Sequence, residues 1–277
     1  MRAIVVKPGK ANPARLMEVP EPAETEGPVL VETLALGVCG TDLEILRGNY
    51  GAAPPGEDYL ILGHESLGRV LDAPSSSGFS KGDLVVGIVR MPDPVPCPNC
   101  AVGEWDMCRN GQYTEHGIKE LHGFGRERFR SQPERLVKVD AALETLGVLL
   151  EPTSVVAKAW EHIERIGRRA RWQPERALVT GAGPIGLLAT LLARQRGLAV
   201  DVLDRVTDGP KPLLVRDVGA SYHTGSIAEI GQRPNIALEC TGVGQLVFDA
   251  MQATKPDGIV CLAGISSGGH KLEIDLA

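Results

Sequence analysis

Aromatic residues are scarce in this chain: 3 Trp, 4 Tyr and 4 Phe make up 4 % of its 277 residues. No stretch approaches the roughly 20 consecutive apolar residues that span a bilayer, so no membrane partner is expected. The N-terminus "MRAIVVKPGKANPARL" lacks the apolar core of a signal peptide, and a cytoplasmic protein is the expectation. Positive charge is in deficit, with 29 Lys and Arg against 35 Asp and Glu. A net charge of −6 argues against a nucleic-acid partner. The one basic cluster, "RIGRRARW" at 165–172, reads as a solvated helix end with cations near its negative dipole terminus. Internal repeats and low-complexity tracts are also missing.

Glycine (33) and proline (20) are plentiful instead, which suits a chain of many turns and close backbone approaches. The length is enough for two domains. Up to about residue 150 the sequence reads as short β segments separated by turns: "AIVV", "VLVETLALGV", "SLGRVLDA", "DLVVGIV" and "ERLVKV". These predict an all-β, barrel-like body over 1–152. The texture then changes. "EPTSVVAKAWEHIERIG" has a helical period that lets Val155, Val156, Ala159, Ile163 and Ile166 share one face. Strand-like and helix-like runs alternate from there, and five parallel-strand candidates end with "GIVCLAG". That alternation predicts a doubly wound parallel sheet over 153–277, so the fold class is α/β plus β.

"VTGAGPIG" places Gly181, Gly183 and Gly186 in G-x-G-x-x-G spacing, between a β-like run and a helix. Asp204 ends the next apolar strand. This context is that of a dinucleotide-binding turn: a tight bend at Gly181, close backbone approach at Gly183, close helix packing at Gly186, and a helix N-terminus facing phosphate. Asp204 suits the ribose hydroxyls of NAD, whereas the adjacent Arg205 suits the 2′-phosphate of NADP. Both cofactors stay open, with a slight lean towards dual use.

Of the six cysteines, Cys97, Cys100 and Cys108 fall within twelve residues as C-x2-C-x7-C, while Cys39, Cys240 and Cys261 are scattered. In a chain without secretory features such a cluster points to metal rather than to disulfides. Three thiolates call for a fourth ligand in a closed zinc site, and Asp93, Glu104 and Asp106 are candidates. Elsewhere, Cys39 in "GVCGTDLEILRGNYG" and His64-Glu65 in "LGHESLG" raise a second possibility. Alone, Cys39 reads as a small buried hydrophobe and His64 as a core histidine. Together with Glu151, at the junction of the two halves, they form a thiolate, imidazole and carboxylate set suited to catalytic zinc.

The motifs "GVCGTD", "GHESLG", the cysteine lobe, "EP" and "GAGPIG" occur in the order found in zinc-dependent medium-chain alcohol dehydrogenases, along essentially the whole chain. Within that superfamily "QYTEHGIKELHGF" (112–124), "LLEPTSVVAKAWE" and "DLEI" make the chain most similar to the microbial glucose dehydrogenases. The resemblance implies a GroES-like catalytic domain with a Rossmann domain, and an active site in the cleft between them. It implies zinc ligation by Cys39, His64 and Glu65, with Glu151 ligating zinc or meeting substrate through water. Thr41 matches a hydroxyl beside the reacting sugar oxygen, and Glu115 a carboxylate that holds sugar hydroxyls. Gly181, Gly183, Pro184, Ile185, Gly186, Asp204, Arg205, Val206, Ala263, Gly264 and Ile265 match cofactor contacts.

Oxidation of an aldose such as glucose or galactose to its lactone, with NAD or NADP, is the implied reaction. The alternatives are the same chemistry on another polyol or secondary alcohol, or a non-catalytic NAD(P)-binding relative. The resemblance further implies a homo-oligomer, dimer or tetramer. The chain departs from the family in three places. Pro94 stands where a four-cysteine lobe has its first cysteine, and Glu44 where many alcohol dehydrogenases have a relay histidine, although Glu44 fits the glucose-specific branch. After "KLEIDLA" no residues follow for a sixth strand and a return segment, so the Rossmann domain is expected to be incomplete at its C-terminal end.

Overall fold

A computed structural model describes residues 1–264. The chain divides into two compact units, one covering Met1–Glu151 and the other running from Pro152 onward.

The first unit is built on an antiparallel five-stranded sheet in the order Arg128–Ser131, Val29–Leu36, Ser66–Asp72, Leu84–Gly87, Leu136–Val139. Successive strand side chains point to opposite faces, and here both faces are covered. Val85 joins Val31, Val70 and Phe129 in one cluster, while its neighbours Leu84 and Val86 join Leu67 and Val139 in another. That two-sided burial is why "DLVVGIV" reads as an unbroken apolar run.

Two three-stranded sheets flank the large one: Arg15–Glu18, Arg2–Val6, Leu60–Ile61, and Arg90–Met91, Thr114–His116, Glu120–Leu121. The anticipated barrel-like body therefore consists of separate ladders rather than one continuous ring. Single backbone bonds stitch the ladders together, such as Ile4 N–H to Gly125 O at 2.7 Å and Glu127 N–H to Arg2 O at 3.1 Å. The strand Arg15–Glu18, three of whose four residues are exposed, carries too little apolar pattern to be found in sequence.

The second unit holds a parallel sheet. Its strands in chain order are Arg176–Thr180, Ala199–Leu203, Ser221–His223, Ile236–Glu239 and Ile259–Leu262, and they lie side by side as 3-2-1-4-5. The direction of winding reverses between the first and fourth strands, which leaves a crevice at their carboxyl ends. Alternation of strand and helix required a parallel sheet, and one is found.

The helix Leu150–Gly167 forms where its period placed it, with a different inward face. Pro152, Val156, Trp160, Ile163 and Gly167 are buried, whereas Val155 and Ile166 are 45 % and 47 % exposed. Steps of four, three and four residues keep 156, 160, 163 and 167 on one stripe, and the bulk of Trp160 centres it. At the helix exit Arg169 donates to the Ile166 carbonyl at 3.2 Å, the helix-end role assigned to the basic cluster. Among the described residues no helix is long and apolar enough to cross a membrane.

Candidate metal centre and dinucleotide site

Strand pairing assembles the first site. Val29–Leu36 and Ser66–Asp72 pair antiparallel with Leu36 opposite Ser66, and Gly37 N–H continues the ladder to Glu65 O at 2.8 Å. Cys39, just beyond the end of one strand, thereby meets His64 and Glu65, just before the start of the other. Cys39 also caps the helix Gly40–Leu46, its sulfur accepting Thr41 N–H at 3.3 Å. Its Sγ lies 3.0 Å from His64 Nε2, and the donor atoms of Cys39, His64 and Glu65 all fall within 4.8 Å of one another.

Two ligands about 2.0–2.3 Å from a shared zinc at a tetrahedral angle lie roughly 3.3–3.8 Å apart, so the set fits the ion in spacing and in donor type. Its electrostatics agree. Burial pushes the Glu65 carboxyl up, and burial with the charges of Glu65, Glu115 and Asp42 pushes Glu151 to about 7 despite relief from His64. Burial works against a charged His64, but the Cys39 hydrogen bond and the surrounding anions lift it to about 9. Crowded acids that resist ionisation and a histidine that attracts a proton mark a place where positive charge is favoured. A divalent ion would supply it.

Sequence reasoning missed Asp42. It is 4 % exposed, its Oδ2 accepts Cys39 N–H at 3.0 Å, and its Oδ1 lies 3.7 Å from His64 Nδ1. Neither of those last two atoms has a hydrogen-bond partner. The carboxylate thus stands behind the imidazole and favours the tautomer that leaves Nε2 for metal. The only sequence signal was an Asp three residues after Cys39, which reads as a helix cap.

Thr41 sits half-buried in the first turn of that helix. Glu151 lies in the first turn of Leu150–Gly167 and is electrostatically coupled to His64, Glu65 and Glu115. Glu115 is 7 % exposed, on the strand Thr114–His116, with its Oε1 held by Arg90 at 2.8 and 2.9 Å.

In the lobe, the sulfurs of Cys97, Cys100 and Cys108 lie within 4.8 Å of one another. Cys97 accepts N–H bonds from Arg109 at 3.4 Å and Cys100 at 3.5 Å, which bring its thiol down to about 6. Burial pushes Cys100 up to about 11. A low-pKa thiolate among close thiols suits zinc. Asp93 is buried and is not among this mutually close set; its Oδ1 accepts Val95 N–H at 2.8 Å and its Oδ2 has no partner.

The second unit carries the glycine turn between the strand Arg176–Thr180 and the helix Pro184–Gln195, with Gly183 as N-cap and Pro184 in the first position. Gly181 has φ +89°, and a Cβ on Gly186 would come within 1.8 Å of the Gly181 carbonyl. Nothing lies within 4 Å of where a Gly183 Cβ would point, which leaves open space at the helix N-terminus. Ile185 packs into the core beside the turn. Ala263 and Gly264 follow the fifth strand, both donating to Glu239 O at 2.8 Å. Ile265 lies outside the described residues.

Asp204 is engaged on both oxygens: Oδ2 by Ala182 N–H at 2.7 Å and Lys211 Nζ at 2.9 Å, Oδ1 by Val206 N–H at 3.0 Å. Burial opposes its ionisation, but Lys211 and the two N–H groups hold its carboxyl below the usual range. Arg205 is exposed. Lys211, seven residues away in the helix Pro210–Asp217, was not anticipated from sequence.

Comparison with known proteins places these features in a class and then a family. Residues 25–141 match the alcohol dehydrogenase GroES-like domain, and residues 144–277 match the glucose dehydrogenase C-terminus. Glucose 1-dehydrogenase of Methanocella arvoryzae is 42 % identical over 96 % of this chain and 76 % of its own. Glucose 1-dehydrogenase 2 of Vulcanisaeta moutnovskia is 40 % identical over 98 % and 77 %. Among solved structures, Haloferax mediterranei glucose dehydrogenase in complex with NADP, Zn and gluconolactone superposes with a TM-score of 0.90 at 32 % identity, covering 99 % of this chain and 79 % of that one. The chain belongs to the glucose 1-dehydrogenase family of the zinc-dependent medium-chain alcohol dehydrogenases.

Proposed function

We propose that this chain oxidises D-glucose, and related aldoses such as galactose, to the aldonolactone with NAD or NADP as acceptor. The convergence of Cys39, His64 and Glu65 beside the carboxylates Glu115 and Glu151 carries this reading. An apolar alcohol would have no use for two acidic groups there, whereas a polyol needs charged acceptors. The relatives named above support it.

When bound, zinc supplies Lewis acidity that lowers the pKa of the sugar C1 hydroxyl, and NAD(P) accepts hydride at nicotinamide C4. Cys39, His64 and Glu65 would hold the metal, with Glu151 ligating it or orienting substrate through water. Thr41 takes the C1 hydroxyl proton and relays it outward. Glu115 and Glu151 accept hydrogen bonds from the remaining hydroxyls and fix the ring, so that C1 is presented in one orientation. Gly181, Gly183, Pro184, Ile185 and Gly186 would cradle the pyrophosphate, Asp204, Arg205 and Val206 the adenosine ribose, and Ala263 and Gly264 the nicotinamide side.

Cys97, Cys100 and Cys108 would hold a second, structural zinc, with Asp93 as the proposed fourth donor. The working protein is proposed to be a cytoplasmic homo-oligomer, dimer or tetramer, which light scattering on the purified protein would test. For the reaction, NAD(P)H formation from D-glucose is measured with and without a zinc chelator, and in Cys39→Ser. Chelator-sensitive turnover is expected. Cys39→Ser should lose at least about a hundredfold in turnover while NADPH binding stays within about twofold. Turnover with sorbitol or simple alcohols but not glucose would reject the sugar assignment, and full activity of Cys39→Ser would reject the metal centre.

A further inference from the structure

Arg90 takes part in no step above, yet it joins two regions that the function treats separately. It opens the strand Arg90–Met91 and stands directly across from Glu115 in the pairing with Thr114–His116. Its Nε and Nη2 both donate to Glu115 Oε1, at 2.9 and 2.8 Å. Its Nη1 points the other way, to the main-chain carbonyls of Trp105 at 3.4 Å and Asp106 at 3.3 Å, between Cys100 and Cys108. The Tyr113 ring covers the guanidinium at 4.1 Å. A second cation, Arg135, stacks on Trp105 at 4.9 Å and steadies the lobe side of the contact.

A carboxylate that selects a neutral polyol must present a lone pair at a fixed place. Two charge-assisted donors on one oxygen set the orientation of the Glu115 carboxylate and leave Oε2 with no protein partner among the described residues. The planar guanidinium is itself fixed by the lobe carbonyls, so the position of Oε2 depends on the lobe's shape. We propose that Arg90 is a positioning residue for sugar binding, transmitting the geometry of the cysteine lobe to the free oxygen of Glu115. The lobe then has a role in substrate affinity besides stability. The inference rests on the reading of Glu115 as a sugar ligand.

The experiment compares Arg90→Met, Arg90→Lys, Glu115→Gln and the double variant Arg90→Met/Glu115→Gln, each zinc-loaded. Glucose KM and kcat are measured, with NADPH affinity by fluorescence as a check outside turnover. Arg90→Met and Glu115→Gln should each raise glucose KM roughly tenfold or more, with NADPH binding unchanged. The double variant should be no worse than Glu115→Gln, because Arg90 acts through that carboxylate. Arg90→Lys should recover part of the loss, since it restores charge without the fork.

In a second arm, Cys108→Ser should raise glucose KM in the parent background and add nothing in Arg90→Met. An unchanged KM in Glu115→Gln would sink the sugar role of Glu115 and this inference with it. A raised KM in Glu115→Gln beside an unchanged KM in Arg90→Met would sink the inference alone. Additive effects in either pairing, or a fall in kcat at constant KM, would also overturn it. Should Arg90→Met fail to fold, Arg90→Lys decides, with a KM equal to the parent's overturning the proposal.

Discussion

Two side chains, Lys211 and His116, carry predictions about nucleotide preference and the response to acid. Asp204 directly follows the strand Ala199–Leu203, where an NAD-type aspartate is expected, and Lys211 pairs with it at 2.9 Å, a cation that would suit a 2′-phosphate. Lys211→Ala is therefore expected to weaken NADP binding roughly tenfold and to leave NAD binding equal or tighter, as read by fluorescence titration of both reduced cofactors. An unchanged ratio would remove Lys211 from cofactor selection. His116 is a different case. Burial pulls it down to about 4 although its Nδ1 meets the His122 carbonyl at 2.7 Å. The unfolded chain takes up that proton near pH 6.5 and the folded chain only near pH 4, so between these values the unfolded state binds more protons. The His116 contribution to stability is intact above pH 6.5, falls as the pH drops, and is lost by pH 4, about 3 kcal/mol in all. Denaturant melts from pH 7 to 4.5 should show this slope, and His116→Asn should flatten it. Neither effect was legible in the sequence: a lysine seven residues past a strand and a histidine in a turn-rich stretch look like ordinary surface residues until burial and partners are known.

At the scale of elements, the helix Leu150–Gly167 shows what periodicity can and cannot say. The 3.6-residue period announced a helix, yet five apolar candidates spread over more than one stripe, and which stripe faces inward depended on the parallel sheet it meets. Val156, Trp160 and Ile163 pack with Ala177, Val179 and Ile236. Trp160→Ala should cost about 3–5 kcal/mol in a denaturant melt, and Val155→Ala no more than about 0.5 kcal/mol. Equal costs at the two positions would mean that the helix packs on another face. The glycine turn was legible in full, because its constraint is local: no side chain fits at Gly186 against the Gly181 carbonyl, whatever the rest of the chain does.

For the whole molecule, two metal positions imply a stoichiometry. Elemental analysis should give about two zinc ions per chain. Cys39→Ser and Cys97→Ser should each retain one, and the latter should also melt at a lower temperature. One zinc in the parent protein, lost in Cys39→Ser, would mean that three lobe thiols without a fourth cysteine do not retain metal. Asp93→Ala tests the fourth donor by the same count. What the amino-acid order determined by itself were features written within about ten residues of chain: the Gly181–Gly186 turn, the C-x2-C-x7-C lobe, the alternation of strand and helix, and the family signatures around Cys39 and His64. Tertiary structure decided the pairs. Asp42 stands behind His64, Lys211 on Asp204, and Arg90 between the lobe and Glu115. Such pairs follow from strand pairing and helix packing that bring distant positions within hydrogen-bonding reach, and a short-range pattern carries no record of which strand will lie beside which.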